Sequence, residues 1–334
     1  MKTNFVKLRW LFTMLLFVTT MIMPTMMLAK SIDLKIPEGD GAGTPYKIGT
    51  AEELYWFAGL VNGTLPGVKK DLSANAILTD DIIVNTGVLD PNKDLVSGND
   101  FIEWIPIGKS SSDDDAYTGT FDGNGHTISG LYFNKSNSWY VGLFGCIGAE
   151  GKISNVGVSD SYFQSSNCPY IGGVCGSNSG ELQNCSNSST VIGKENEYRI
   201  GGVCGYNYGG TIKSCYNTAS VSGQSSVGGV SGSLGSDVTN CYYLSGTVAD
   251  GKGGIGGKDD ENGKAVEMSK DRFKSGEVAW LLNGSKSVST EESTLAWYQK
   301  LDENADAYPV LKSTDHNTVY KAPPLLLRRD NPYW

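Results

Sequence analysis

Between about residues 140 and 244 the apolar positions come in runs of only three to five, separated by Gly, Asn and Ser. An α-solenoid is excluded by this pattern, because its repeating unit needs ten or more residues at helical period. Four stretches of the zone are rough copies of one another. They open on Gly142-Leu143-Phe144-Gly145, Gly173-Val174-Cys175-Gly176, Gly202-Val203-Cys204-Gly205 and Gly229-Val230-Ser231-Gly232, spaced 31, 29 and 27 residues apart. Each continues into an aliphatic-polar-polar-apolar element, Ile153 to Val156, Leu182 to Cys185, Ile212 to Cys215 and Val238 to Cys241. A period in this range belongs to units that cannot bury an apolar face alone and stack to share one core. The pattern predicts a mainly β fold, a parallel β-solenoid (β-helix) of about 27–31 residues per coil, with equivalent residues stacked ~4.8 Å apart. Val174, Val203 and Val230 should then occupy one interior column.

A short helix is predicted near each end. Thr50-Ala51-Glu52-Glu53 is a capping box, Leu54, Phe57, Leu60 and Val61 follow at helical spacing, and Asn62-Gly63 ends the run. Near the other end, Ser269 is the expected N-cap, Val278, Ala279, Leu281 and Leu282 the apolar face, and Asn283-Gly284 the stop. Ala296 to Tyr298 and Tyr308 to Leu311 read as short strands that close the far end of the stack. Ala76 to Val84 and Gly119 to Phe133 read as strands of irregular early rungs. The organisation expected is a leader at 1–29, an N-terminal helix with early rungs at 30–118, the repeats at 119–245, a capping segment with a helix at 246–320, and a tail at 321–334.

The leader changes the charge balance. Lys2, Lys7 and Arg9 precede an apolar run from Trp10 to Met23, and Met27-Leu28-Ala29 is a plausible cleavage point for export. Thr13, Thr19, Thr20, Thr25 and Pro24 interrupt the segment, which argues against an uncleaved anchor and against membrane insertion after cleavage. The formal charge is −9, and loss of the leader leaves 24 Lys and Arg against 36 Asp and Glu, a charge of −12. Such acidity argues against nucleic acid as a partner.

The copies Ile200-Gly201-Gly202-Val203-Cys204-Gly205-Tyr206-Asn207-Tyr208-Gly209-Gly210-Thr211-Ile212-Lys213-Ser214-Cys215-Tyr216 and Ile171 to Cys185 resemble the GLUG repeat of bacterial surface and secreted proteins. Trp104 to Gly108 and Phe121 to Leu131 are similar to the lead-in of such proteins, and Tyr46 to Leu54 to their opening helix. The resemblance covers most of residues 45 to 312. It implies a cell-surface, adhesin-like protein of the Bacteroidales type. The repeat also occurs as a non-catalytic segment in some immunoglobulin-cleaving metallopeptidases, and the family supplies no catalytic residues to transfer.

Candidate chemistry is sparse. Stacking places Cys175 beside Cys204, and Cys185, Cys215 and Cys241 in one column with Val156, where parallel Cβ vectors disfavour disulfides and a buried free-thiol ladder is expected. Cys146 and Cys168 fall outside those columns and are the expected reactive or bridging pair. A metal site is not expected, with no Cys-x-x-Cys and only His126 and His316 as histidines. His126 reads as a turn-flanking residue without an acid–base partner. Acidic groups bunch in loops, Asp113 to Asp115 and Asp259 to Glu261, as solvated surface rather than as paired carboxylates. The Asp113 loop could bind calcium weakly. Tyr216 and Tyr242 follow ladder cysteines and so point outward, and Tyr206 and Tyr208 flank Asn207 in a turn of the same coil. These four tyrosines are the candidate ligand-binding residues; the competing and favoured reading is that they cover the solenoid surface or pack against a terminal element. The reading is a non-enzymatic exported binding protein, without catalytic residues or cofactor, whose partner is a glycan or a host extracellular protein. A polysaccharide lyase or glycosidase on a β-helix, and a stalk without ligand, stay open beside it.

Overall fold

Short glycine-punctuated strands do wind into a parallel β-solenoid in the computed structural model, which describes residues 32–98, 100–110, 114–167, 169–194, 199–233, 237–249, 252–256, 264–285, 295–301 and 305–311. The expected leader and tail lie outside the described residues. One turn is built from four strands, Tyr170–Gly172, Cys175–Asn178, Glu181–Gln183 and Ser186–Lys194. Each pairs in parallel with its counterpart one turn earlier and one turn later. The columns so formed are sheets of four, three, seven and nine strands.

The interior follows from the same register. Val174, Val203 and Val230 are fully buried, and their amides and carbonyls bond rung to rung (Val174 N to Val203 O, Val203 N to Val230 O, both 2.9 Å). Cys175 pairs with Cys204, and the Cys185 amide donates to the Cys215 Sγ at 3.3 Å. The Cys185, Cys215 and Cys241 thiols donate in turn to the carbonyls of Gln183, Lys213 and Thr239, each at 3.3 Å. All six described cysteines are buried and free. Burial pushes the Cys175, Cys185 and Cys241 thiols well above their ordinary value.

Glycine shapes the corners. A Cβ on Gly176 would stand 2.7 Å from the Val141 amide nitrogen of the preceding turn, and one on Gly205 would stand 2.6 Å from that of Ile171. The second glycine of each tetrapeptide therefore lets the three-stranded sheet fold back against the four-stranded one, backbone on backbone. At the corner between the seven- and nine-stranded sheets, Asn155, Asn184, Ser214 and Asn240 all take left-handed φ of 52–55°. Asn is among the few residues that visit this region readily, and Asn184 Nδ2 donates to Asn155 Oδ1 at 3.0 Å.

The N-terminal helix, Ala51–Asn62, has the caps its sequence predicts, the Thr50 hydroxyl accepting from the Glu53 amide and Gly63 closing at φ 64°. The Glu53 carboxylate reaches the Gly49 amide at 2.9 Å. Residues 53–62 are buried, because Phe57 packs on Tyr117 and Phe121 while the segment near Glu103 to Lys109 bonds Tyr55 and Asn62.

The C-terminal segment differs from expectation in shape and in place. Gly276, at φ 81°, splits the expected helix into Lys270–Lys274 and Glu277–Leu282. Trp297–Tyr298 pairs antiparallel with Val310–Leu311. An end cap was expected, but these elements cover the outer face of the nine-stranded sheet: Phe273, Val278, Leu282, Trp297 and Leu311 form a cluster with Tyr216 and Tyr242, apart from the main core. The physical reason is the large apolar area of those two outward tyrosines, which a lateral cap removes from water.

Candidate functional site

Aromatic rings line one edge of the solenoid. Tyr140, Tyr170 and Arg199 occupy the same register position on successive turns of the four-stranded sheet. Tyr206 belongs to the adjoining three-stranded sheet, in register with Ser177 and Cys146. The backbone approach at Gly205 draws the two sheets together, so Tyr206 stacks on Tyr170 with ring centres 5.1 Å apart at 24°. Tyr170 stacks on Tyr140 at 5.3 Å and 27°, and Tyr208 leans on Tyr206 at 5.3 Å. The Arg199 guanidinium carbon lies 4.0 Å above the centre of the Tyr206 ring and 5.5 Å from that of Tyr170.

A groove of about 770 Å³ adjoins this row, lined by the four tyrosines together with Ala116, Thr118, Cys146 to Glu150, Ser177 and Ser179. Tyr208 is 62% exposed. Tyr140, Tyr170 and Tyr206 are stacked on one another, whereas Tyr208 is tilted 46° from Tyr206 and largely exposed. The lining is apolar carbon interrupted by hydroxyls and one carboxylate, a composition suited to an amphipathic neutral ligand.

The four sequence candidates separate into two pairs. Tyr206 and Tyr208 lie on the groove. Tyr216 and Tyr242 point outward as strand alternation dictates, but they pack against a terminal element instead of serving as ligand-binding residues: each is only 6% exposed beneath the lateral cap. The Tyr216 hydroxyl donates to the Pro309 carbonyl at 2.6 Å and the Tyr242 hydroxyl to Asn240 Oδ1 at 2.8 Å. Burial raises the Tyr216 phenol above its ordinary value. Tyr140 and Tyr170 were not singled out from the sequence, although a signal existed. Each precedes its Gly-hydrophobic-small-Gly tetrapeptide at nearly the same offset as Arg199 does.

Cys146 is a second correction. It lies in a column with Ser177 and Tyr206, buried and free, and burial pushes its thiol up to about 12, so it does not act as the reactive or bridging residue expected. Cys168 lies outside the described residues. His126 Nδ1 stands 3.5 Å from Asp81 Oδ1 at the mouth of a hollow of about 420 Å³ that Tyr216 and Pro309 to Leu311 help to line. Of the acidic loops, Asp115 pairs with Lys70 at 3.0 Å, while Asp113 and Asp259 to Glu261 lie outside the described residues. Among the described residues, no group of three or more His, Cys, Asp or Glu side chains could hold a metal ion.

Comparison with known proteins returns to the third copy. The family described as the GLUG motif matches residues 196–222. Halomucin of Haloquadratum walsbyi is 38% identical over 84 residues, 25% of this chain and 1% of halomucin. A protein of Evansella cellulosilytica, provisionally named a Gly-rich membrane protein, is 33% identical over 78 residues, 23% of this chain and 9% of that protein. The chain thus corresponds to a small part of the length of these curated relatives. A solved structure from Bacteroides ovatus, provisionally named an immunoglobulin A1 protease, aligns over 84% of this chain and 95% of its own, at 16% identity and a TM-score of 0.41.

Proposed function

We propose that this chain, a GLUG-repeat β-solenoid, is an exported surface or secreted binding protein without enzymatic activity, and that it holds a glycan or a host extracellular protein against its tyrosine-lined groove. The observation that carries this reading is the continuous row Tyr140, Tyr170, Tyr206 and Tyr208 beside a groove of about 770 Å³. Rings already locked into a stack lose little freedom on binding, which favours them as a preorganised contact surface. Export is supported by the basic-then-apolar start of the chain, and one relative is named as a membrane protein. Among the described residues no helix is long and apolar enough to cross a membrane.

The test is a combined glycan and extracellular-matrix array probed with the whole chain, Tyr208→Ala and Tyr206→Ala, with Tyr242→Phe as a variant away from the groove. The wild type and Tyr242→Phe should bind the same spots, and Tyr208→Ala should weaken them by about tenfold, the upper range for one aromatic contact. Spots that bind Tyr208→Ala and Tyr206→Ala as tightly as the wild type would place the ligand elsewhere and defeat this reading.

A further inference from the structure

Immediately below the tyrosine row lies a second hollow of about 710 Å³, lined by Ile105, Pro106, Lys109, Lys135, Trp139 and Tyr140. Tyr140 lines both hollows, so they adjoin across one ring. Trp139 is 65% exposed and Ile105 50%, among the most exposed large apolar side chains of the described residues. Ile107 bridges to Phe144, which places the segment from Ile105 one turn before the Tyr140 level. Along the solenoid axis the aromatic and apolar surface therefore passes through four successive levels: Ile105 and Pro106, then Trp139 and Tyr140, then Tyr170, then Tyr206 and Tyr208.

Resting on the binding function proposed above, we infer that the two hollows form one continuous site that takes a linear, neutral polysaccharide laid along the solenoid axis, with Trp139 in the second hollow and Tyr208 in the first as its exposed aromatic contacts. Three observations select this occupant. Tyr140, Tyr170 and Tyr206 stack on one another, while Trp139 and Tyr208, one in each hollow, are 65% and 62% exposed and available to sugar rings. Hydroxyls of Thr118, Ser177 and Ser179 and the Glu150 carboxylate line the first hollow, and a saccharide presents hydroxyls along its whole length. Levels repeat every ~4.8 Å, about the length of one pyranose unit of an extended chain, so a chain laid along the axis advances about one level per sugar.

Charge and backbone pairing weigh against other occupants. Among the described residues the first hollow is lined by one carboxylate, and the Arg199 guanidinium beside it is stacked on the Tyr206 ring. The two lysines of the second are engaged, Lys109 Nζ with the Asn62 carbonyl and Lys135 with Glu103, each at 2.7 Å. Together with a formal charge of −9, this disfavours an acidic polymer. An extended peptide binds best by adding to an unpaired strand, whereas the strands along this surface already pair from turn to turn.

The experiment is calorimetric titration of the whole chain with cello-, xylo- and manno-oligosaccharides of two to six units, repeated on Trp139→Ala and Tyr208→Ala. Both substituted side chains are exposed, and unchanged melting temperatures confirm that the variants fold. One series should gain affinity with each added unit up to at least four. Trp139→Ala should lose about tenfold on the longest member and least on the disaccharide. Equal affinity for the disaccharide and hexasaccharide, or a hexasaccharide indifferent to Trp139→Ala, overturns the continuous site even though a saccharide is bound. If no neutral saccharide binds while an arrayed host protein does, and Tyr208→Ala weakens it, the inference fails and the proposed function stands.

Discussion

Gly205 shows how much one missing side chain decides. A methyl group there would meet the Ile171 amide nitrogen at 2.6 Å, and relief would require moving backbone rather than a side chain. Gly205→Ala is therefore expected to destabilise the protein by ~1–3 kcal/mol and to separate Tyr206 from Tyr170. Gly209→Ala is the informative comparison. Its φ of 77° makes alanine unfavourable, but nothing lies within 4 Å, so the loss should stay near ~1 kcal/mol. Thermal melts of the two variants, with near-UV circular dichroism reporting the tyrosine stack, check both values. The sequence displayed the glycine tetrapeptides as punctuation, and the copies aligned on them correctly. It did not display the reason for them, because the partner backbone lies one turn away. The left-handed corner was equally hidden: Asn155, Asn184 and Asn240 suit it, but Ser214 takes the same conformation without a propensity to announce it.

At the scale of elements, the N-terminal helix was legible to its caps because capping is local chemistry. Its Glu53 carboxylate titrates under opposing influences: burial raises its pKa, whereas the Lys35 ammonium at 2.6 Å and the Gly49 amide lower it, and the net shift is downward. A depressed folded value stabilises the fold above the ordinary value of 4.5, and that contribution disappears as pH falls through the folded value. Glu53→Gln should thus melt lower than the wild type at pH 7, by ~1–2 kcal/mol, and the difference should close below about pH 4. Urea titrations at the two pH values test it. The lateral cap was legible only in part, as the reading that Tyr216 and Tyr242 pack against a terminal element. Outward Tyr216 and Tyr242 followed from strand alternation, yet their burial depends on Phe273, Trp297 and Leu311, and no local pattern links those residues to that sheet face. Trp297 is fully buried and its indole donates to the Ser214 carbonyl at 3.1 Å. Trp297→Ala should cost ~3–5 kcal/mol and release the cap while the solenoid persists. Nitration of Tyr216 and Tyr242, slow in the wild type, should then become fast with strand circular dichroism retained.

For the molecule as a whole, stability is distributed along one axis. Interior positions are filled by the same residue types at each level, Val174, Val203 and Val230 in one column and Val156, Cys185, Cys215 and Cys241 in another. Strand pairing in the stack runs only between neighbouring turns, so the core has no unique centre. This is why the fold class was readable from sequence, and why the groove was only half readable: Tyr206 and Tyr208 lie inside one copy, whereas the row they complete is drawn from three.

The backbone-on-backbone seam at Gly176 and Gly205 carries a consequence for how such a chain can change size. Because every level offers its neighbour the same seam, material can be removed without reshaping either joint only in whole storeys. Excising residues 171–199 brings Ile200 directly behind Tyr170 and should leave a folded protein, while cutting out half as many should not. Size in this architecture is a digital quantity, and the reach of the surface it carries changes in the same steps.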